Sequence, residues 1–169
     1  MSHALTRSQD PAVYLVPAGP NQTREDDQII LSALNILTRR MKKKGPHFSN
    51  PEPIKQFLML KTGGLEHEVF SVLFLDSGNN FIALEEIFRG TLNQCSVYPR
   101  EIAKLALKHG AAAVVLSHNH PSGECTPSRA DESLTNVLKT ALALVDVRVL
   151  DHIIVSANET LSMAERGLM

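Results

Sequence analysis

The chain has 169 residues, 43% of them hydrophobic and 21% charged, with a formal net charge of -1. That balance suits one globular domain with a real core, and the absence of Trp with only 5% aromatic residues makes that core mainly aliphatic. Near-neutral charge argues against non-specific gripping of phosphate backbones as the main task, and two cysteines are too few for a disulfide framework.

Residues 1 to 22, "MSHALTRSQDPAVYLVPAGPNQ", mix Pro, Gly and polar residues without sustained periodicity and read as a flexible N-terminal arm. They carry no basic start followed by an apolar stretch and a small-residue cleavage site, and no apolar run approaches a membrane span; a cytoplasmic location is expected. Thr23 is placed to cap a helix, with Asp26 three residues on and Ile30, Leu34, Leu37 and Met41 at helical spacing. The run "RRMKKK", Arg39 to Lys44, reads as the solvated end of that helix, where cations complement the dipole; a small nucleic-acid patch is the lesser reading. Ser49 or Asn50 is expected to cap a second helix, with Pro51 in its first turn and "TGG" (62–64) closing it.

Apolar runs on either side of "SGNN" then predict a β-hairpin. Tyr98 or Pro99 opens a helix that Gly110 ends, and "AAAVVLSH" is a short apolar strand suited to the middle of a sheet. Ser128 begins the helix "SRADESLTNVLKTALALV", "VRVLDHIIVSA" is a further strand, and "LSMAERGLM" reads as a short tail. Helices alternating with strands around a mixed sheet predict an α/β or α+β layer architecture.

The chemistry concentrates in "SHNHPSGECTPSRAD", residues 117 to 131. Residues i and i+2 of a strand share a face, so His118 and His120 point together if the strand persists through them, and two such imidazoles make half of a tetrahedral zinc site. Pro121 to Gly123 is turn chemistry that ends the strand and leaves room beside the ion. Ser128 falls at the N-cap and Asp131 on the first helical turn, where its carboxylate can return to the histidine edge even while S-x-x-D serves as a capping box. Two His, one Asp and an open fourth position are the donor set of a catalytic rather than a structural zinc site, whose activated water needs a base from elsewhere in the fold. Ser128 is a candidate donor to a developing oxyanion.

Asn119 and Ser117 read as loop supports, Cys125 as a bystander, and His152 as a strand histidine bonded to a backbone carbonyl rather than facing the site. His3, His47, His67 and His109 read as solvated.

The pattern H-x-H, seven residues, S-x-x-D is met by His118, His120, Ser128 and Asp131 and resembles the JAMM (MPN+) metalloprotease motif. The segments "LFLDSGNNFIALEEIFRGTLNQCSVYPREIAKLAL", "AAAVVLSHNHPSGECTPSRAD" and "VRVLDHIIVS" resemble the RadC branch of that family, over roughly residues 50 to 169. The resemblance implies a JAMM/MPN-like (cytidine deaminase-like) fold, a curved and mostly antiparallel sheet flanked by helices with zinc at its edge. It divides the chain into the arm at 1–22, a helix at 23–48 and a RadC-type domain at 49–169. RadC proteins commonly carry a helix-hairpin-helix region ahead of this domain; residues 1 to 48 offer one clear helix, so the resemblance is to the catalytic domain alone and a tie to DNA repair is not carried over with it.

The family's general base is a Glu well upstream of the histidines. Glu68, opening "EVFSVLFLD", is the first choice, followed by Glu86, Glu85 and Glu66; strand register decides among them. The expected function is a zinc-dependent hydrolase, a metallopeptidase or isopeptidase acting on a peptide or protein. The alternatives are a repair-associated, metal-dependent phosphodiesterase and a non-enzymatic adaptor; a nucleic-acid partner is not indicated by the charge, and the sequence leaves the substrate and oligomeric state open.

Overall fold

The computed structural model describes residues 24–42, 51–90 and 97–169. Four helices and five strands follow in the order α1 (Arg24–Lys42), α2 (Glu52–Thr62), β1 (Val69–Leu75), β2 (Phe81–Arg89), α3 (Pro99–His109), β3 (Ala113–Asn119), α4 (Arg129–Ala143), β4 (Arg148–Val155) and β5 (Thr160–Ser162). The strands form one open sheet in the order β2-β1-β3-β4-β5, antiparallel throughout except between β3 and β4. The mixed α/β, mostly antiparallel architecture is the one expected of a JAMM/MPN-like fold.

Alternation along β1 explains why all seven of its residues are buried. Leu73 and Leu75 face α1 and α2, where they pack with Leu34, Leu37, Ile54, Phe57 and Leu58; Phe70, Val72 and Phe74 face α3 and α4, where they meet Ile102, Ala106, Leu138 and Leu142. Helices thus cover both faces, and β3, between β1 and β4, is equally buried. An aliphatic core is what the composition required.

Several local signals behave as read. Asp76 Oδ1 accepts from the backbone N–H groups of Gly78 and Asn80 and builds the hairpin turn between β1 and β2. Tyr98 and Pro99 open α3, and Gly110 closes it in the left-handed conformation with φ 60°. Others differ. Pro51 itself is the N-cap residue of α2, which starts at Glu52, and Gly63 at its end is right-handed. A Cβ on Gly63 would stand 2.7 Å from both the Met59 and Ser156 carbonyl oxygens, so this glycine is there for close backbone approach. The expected tail begins inside β5, whose three residues pair with β4. The arm, Thr23, Ser49 and Asn50 lie outside the described residues.

The parallel pair positions the site. A parallel β3–β4 pair needs a crossover, and α4 supplies it. The chain leaving the C-terminal end of β3 must therefore start α4 beside that same end, which brings the first turn of the helix back to the last residues of the strand.

Candidate metal centre

His118 lies on β3 opposite Phe70 of β1, and His120 lies one residue beyond the strand. The ladder nonetheless continues, because His120 N–H donates to the Val155 carbonyl at 2.8 Å. Both imidazoles therefore keep the strand's alternation and share the α4 face of the sheet. Gly123, at φ 93°, turns the chain, and its N–H donates to the His120 carbonyl at 3.1 Å. The chain then reaches Ser128 and α4.

The start of α4 is a complete capping box, and it divides the work of the Asp131 carboxylate between its two oxygens. Oδ2 accepts from the Ser128 backbone N–H at 2.8 Å and from the Ser128 hydroxyl at 2.6 Å, while Asp131 N–H donates to Ser128 Oγ at 3.1 Å. Oδ1 is left to face His118 Nε2 at 3.4 Å. His118 Nε2 is also 2.9 Å from His120 Nε2. One donor atom each from His118, His120 and Asp131 thus lie within 4.8 Å of one another. The one hydroxyl proton of Ser128 is committed to Asp131, so the serine holds this carboxylate in place, and it reaches a developing oxyanion only by turning away from it.

The protons can be placed from the hydrogen bonds. His120 Nδ1 is 2.7 Å from the Glu124 carbonyl, which can only accept, so the proton sits on Nδ1 and Nε2 carries the lone pair. On the other side, His118 Nδ1 is 2.8 Å from His152 Nε2, and His152 Nδ1 is 2.6 Å from Thr135 Oγ1. Thr135 donates its hydroxyl to the Asp131 carbonyl at 2.6 Å, so it accepts from His152, which accepts from His118. His118 Nε2 also carries a lone pair. Two nitrogen lone pairs and a carboxylate oxygen directed into one small volume repel one another unless a cation lies among them. A tetrahedral zinc ion with ligands at about 2.0–2.1 Å sets neighbouring donors about 3.3 Å apart, close to the 3.4 Å and 2.9 Å found here. The residues fit the ion.

The surroundings favour the neutral form of His118 and His152. Burial pushes His118, 1% exposed, down to about 4; the Asp131 carboxylate offsets part of that, and His120 adds to the lowering. His152 is held well below the ordinary range by burial first and then by His118 and His120. Phe70 stacks beside His118 with ring centroids 6.4 Å apart and meets His152 edge-on at 5.7 Å, which excludes water from both rings.

Among the four candidate bases, register separates the positions. Glu68 immediately precedes β1, two residues before Phe70, the residue that pairs with His118. Glu68 is half-buried, and its carbonyl accepts from Gly90 N–H at 2.8 Å. Glu86 pairs with Ser71 on the opposite face of the sheet and bonds Arg89 at 3.1 Å. Glu85 sits beside His109 at 3.0 Å, and Glu66 is exposed.

Asn119, expected as a loop support, clamps the segment carrying Glu68. Its Oδ1 accepts from Val69 N–H at 2.7 Å, and its Nδ2 donates to the His67 carbonyl at 3.0 Å. Ser117 carries a buried hydroxyl with no hydrogen-bond partner among the described residues. Cys125 is buried behind the loop, its thiol bonded to the Glu159 carbonyl at 3.2 Å, and burial pushes its pKa up. His152 corrects the sequence reading: its ring bonds a second histidine and a threonine, not a backbone carbonyl. The available signal was a polar pair, Asp151 and His152, inside a strand that is apolar elsewhere after Arg148. His67 and His109 are not solvated either; the first has a buried Nε2 and the second packs on Phe74 at 5.0 Å. His3 and His47 lie outside the described residues.

A family model described as the RadC-like JAB domain matches residues 48–168. The "UPF0758 protein" of Acidovorax sp. (strain JS42) is 56% identical over 151 residues, which are 89% of this chain and 63% of that protein. The protein of the same name from Polaromonas sp. (strain JS666 / ATCC BAA-500) is 55% identical over 151 residues, covering 89% of this chain and 67% of the relative. That of Variovorax paradoxus (strain S110) is 52% identical over 164 residues, covering 97% and 72%. The chain thus spans just under two thirds of the length of the Acidovorax relative. Among the described residues, no helix is long and apolar enough to cross a membrane.

Proposed function

Because the chain belongs to the RadC-like JAB domain family and offers a donor set compatible with that superfamily's metal-dependent hydrolases, we propose that it is a zinc-dependent hydrolase of amide bonds, a metallopeptidase or isopeptidase. The observation that carries this reading is the convergence of His118 Nε2, His120 Nε2 and Asp131 Oδ1, with both histidine tautomers set to present lone pairs. A zinc ion held by these three residues supplies a Lewis acid that polarises a carbonyl and lowers the pKa of water toward 7.

The chain's own groups do the rest. Glu68 takes a proton from the attacking water as the water oxygen bonds to the carbonyl carbon, then returns that proton to the departing nitrogen as the C–N bond breaks; the second water proton follows from the new carboxyl group to the amine, leaving a carboxylate and an ammonium. Ser128 holds Asp131 by the capping box and, on turning its hydroxyl outward, steadies the oxygen that gains charge. Asn119 anchors the backbone on either side of Glu68. A site with one carboxylate among its ligands, on a chain of net charge -1, favours amide over phosphodiester cleavage.

The test is metal analysis followed by mass-spectrometric screening of a proteome-derived peptide library and of peptides branched through a lysine ε-amide. One zinc per chain is expected, with cleavage lost in Glu68→Gln while zinc is retained, and kept in Glu86→Gln. Zinc-free protein after growth in zinc-supplemented medium would refute the metal site. Nicking of plasmid DNA that depends on His118 and Glu68, with no peptide cut, would move the assignment to a phosphodiesterase.

A further inference from the structure

The hydrogen bonds behind the donor set point to a role for two residues that touch no substrate. We infer that His152 and Thr135 are positioning residues of the metal centre: together they lock the tautomer and ring orientation of His118 and tie it to the backbone of the second ligand, Asp131. The inference rests on the zinc reading above and deepens it.

The hydrogen bonds run one way. The Asp131 carbonyl can only accept, and Thr135 Oγ1 lies 2.6 Å from it. The Met163 sulfur, 3.9 Å from the same hydroxyl, is too weak an acceptor to compete. With its proton spent on Asp131, Thr135 accepts from His152 Nδ1 at 2.6 Å, and His152 Nε2 accepts from His118 Nδ1 at 2.8 Å. The chain of bonds starts at the main chain of one ligand and ends at the ring of another, so His118 and Asp131 are held as a pair. Thr135 and His152 are both 0% exposed, so solvent cannot replace either partner. Phe70 packs against the His118 and His152 rings and opposes their rotation.

Removing the Thr135 oxygen reverses the relay. His152 Nδ1–H then has no acceptor in a buried site, and the proton is better placed on Nε2, facing His118 Nδ1. His118 in turn must carry its proton on Nε2, the atom directed at His120 and Asp131, and it ceases to be a ligand. Loss of such an outer partner lowers metal affinity by about 10–100-fold.

The experiment uses the full chain and three readouts: zinc affinity by competition with a chromophoric chelator, the visible spectrum of the cobalt-substituted protein, and long-range proton–nitrogen NMR of the histidine rings. Thr135→Val, isosteric but without the hydroxyl, is expected to bind zinc about 10–100-fold more weakly, with a changed cobalt spectrum. Thr135→Ser and His152→Gln, which keep a donor and an acceptor in line, are expected to stay within about fivefold of the parent, whereas His152→Phe falls with Thr135→Val. In the parent protein, NMR is expected to show the proton of both His118 and His152 on Nδ1. Equal zinc affinity in Thr135→Val and Thr135→Ser, or an Nε2 proton on His152 in the parent, overturns the inference. If Thr135→Val does not fold, the parent's NMR spectrum decides. If the parent binds no zinc, the hydrolase reading fails, while the tautomers of the metal-free protein still decide the relay.

Discussion

Acidifying the metal-free protein from pH 7 to pH 5 should cost it much of its stability, and the burial of two imidazoles sets the size of the loss. His118 titrates at an ordinary 6.5 in the unfolded chain but at about 4 when folded, where His120, His152 and Asp131 surround it. Between those values the unfolded state holds a proton that the folded state refuses. Stability is therefore full above pH 6.5, falls as the pH drops below it, and stops falling on this account below about 4, where the folded protein takes up the proton too. At about 1.4 kcal/mol per proton per pH unit, His118 alone accounts for roughly 2 kcal/mol between pH 7 and pH 5. His152 shifts in the same direction for the same first cause, burial, and adds a loss of the same sign. Against a total stability of about 5–15 kcal/mol this is a large share. Urea titrations followed by circular dichroism at pH 7, 6 and 5, with chelator present, measure it. His152→Gln, which removes one of the two buried bases, should make the decline shallower. A flat profile, or one unchanged by His152→Gln, would refute the reasoning that these rings are kept neutral by their surroundings.

Other outcomes follow from the same geometry. Asn119→Ala leaves Val69 N–H and the His67 carbonyl without partners in a buried strand end, and should lower stability by about 2–3 kcal/mol while zinc content stays at one per chain. Gly63→Ala drives a Cβ into two backbone oxygens and should cost about 1–3 kcal/mol in thermal or urea unfolding; Gly64→Ala, with nothing within 4 Å, should be neutral within error. Asp131→Ala removes a proposed ion ligand and half of the capping box, so any rise in melting temperature on adding zinc should vanish along with about 1 kcal/mol of metal-free stability. Cys125 should react with a thiol reagent only as fast as the protein opens, since its thiol is buried and its pKa raised; rapid labelling at pH 7 would contradict that packing.

Much of this was legible beforehand because the site is built from local signals. H-x-H, a turn with Gly123, and S-x-x-D lie within one short stretch, and the apolar run of β3 announces a central strand whose end the motif decorates. What could not be read is what comes from far along the chain. Whether Glu68 or Glu86 shares the histidine face depends on the β1–β3 register and on a bulge in β2, neither of which leaves a mark in composition. His152 lies 34 residues from His118, and only the parallel pairing of β3 with β4 makes them neighbours. β5 escaped because three residues are too few to show alternation. The spacing places Ser128 at the cap, but only the carboxylate's two separate contacts reveal that its proton is spent on Asp131 itself.

The three side chains proposed to hold the ion belong to a single 14-residue segment, 118–131, whereas the carboxylate proposed to move protons arrives from 50 residues earlier, its neighbours moored by one amide side chain. Loading and turnover are therefore written in separate places and can be lost separately. On the proposed reading, a descendant with one exchange at Glu68 or Asn119 would still purify with its full complement of zinc, which would make metal content a poor proxy for competence.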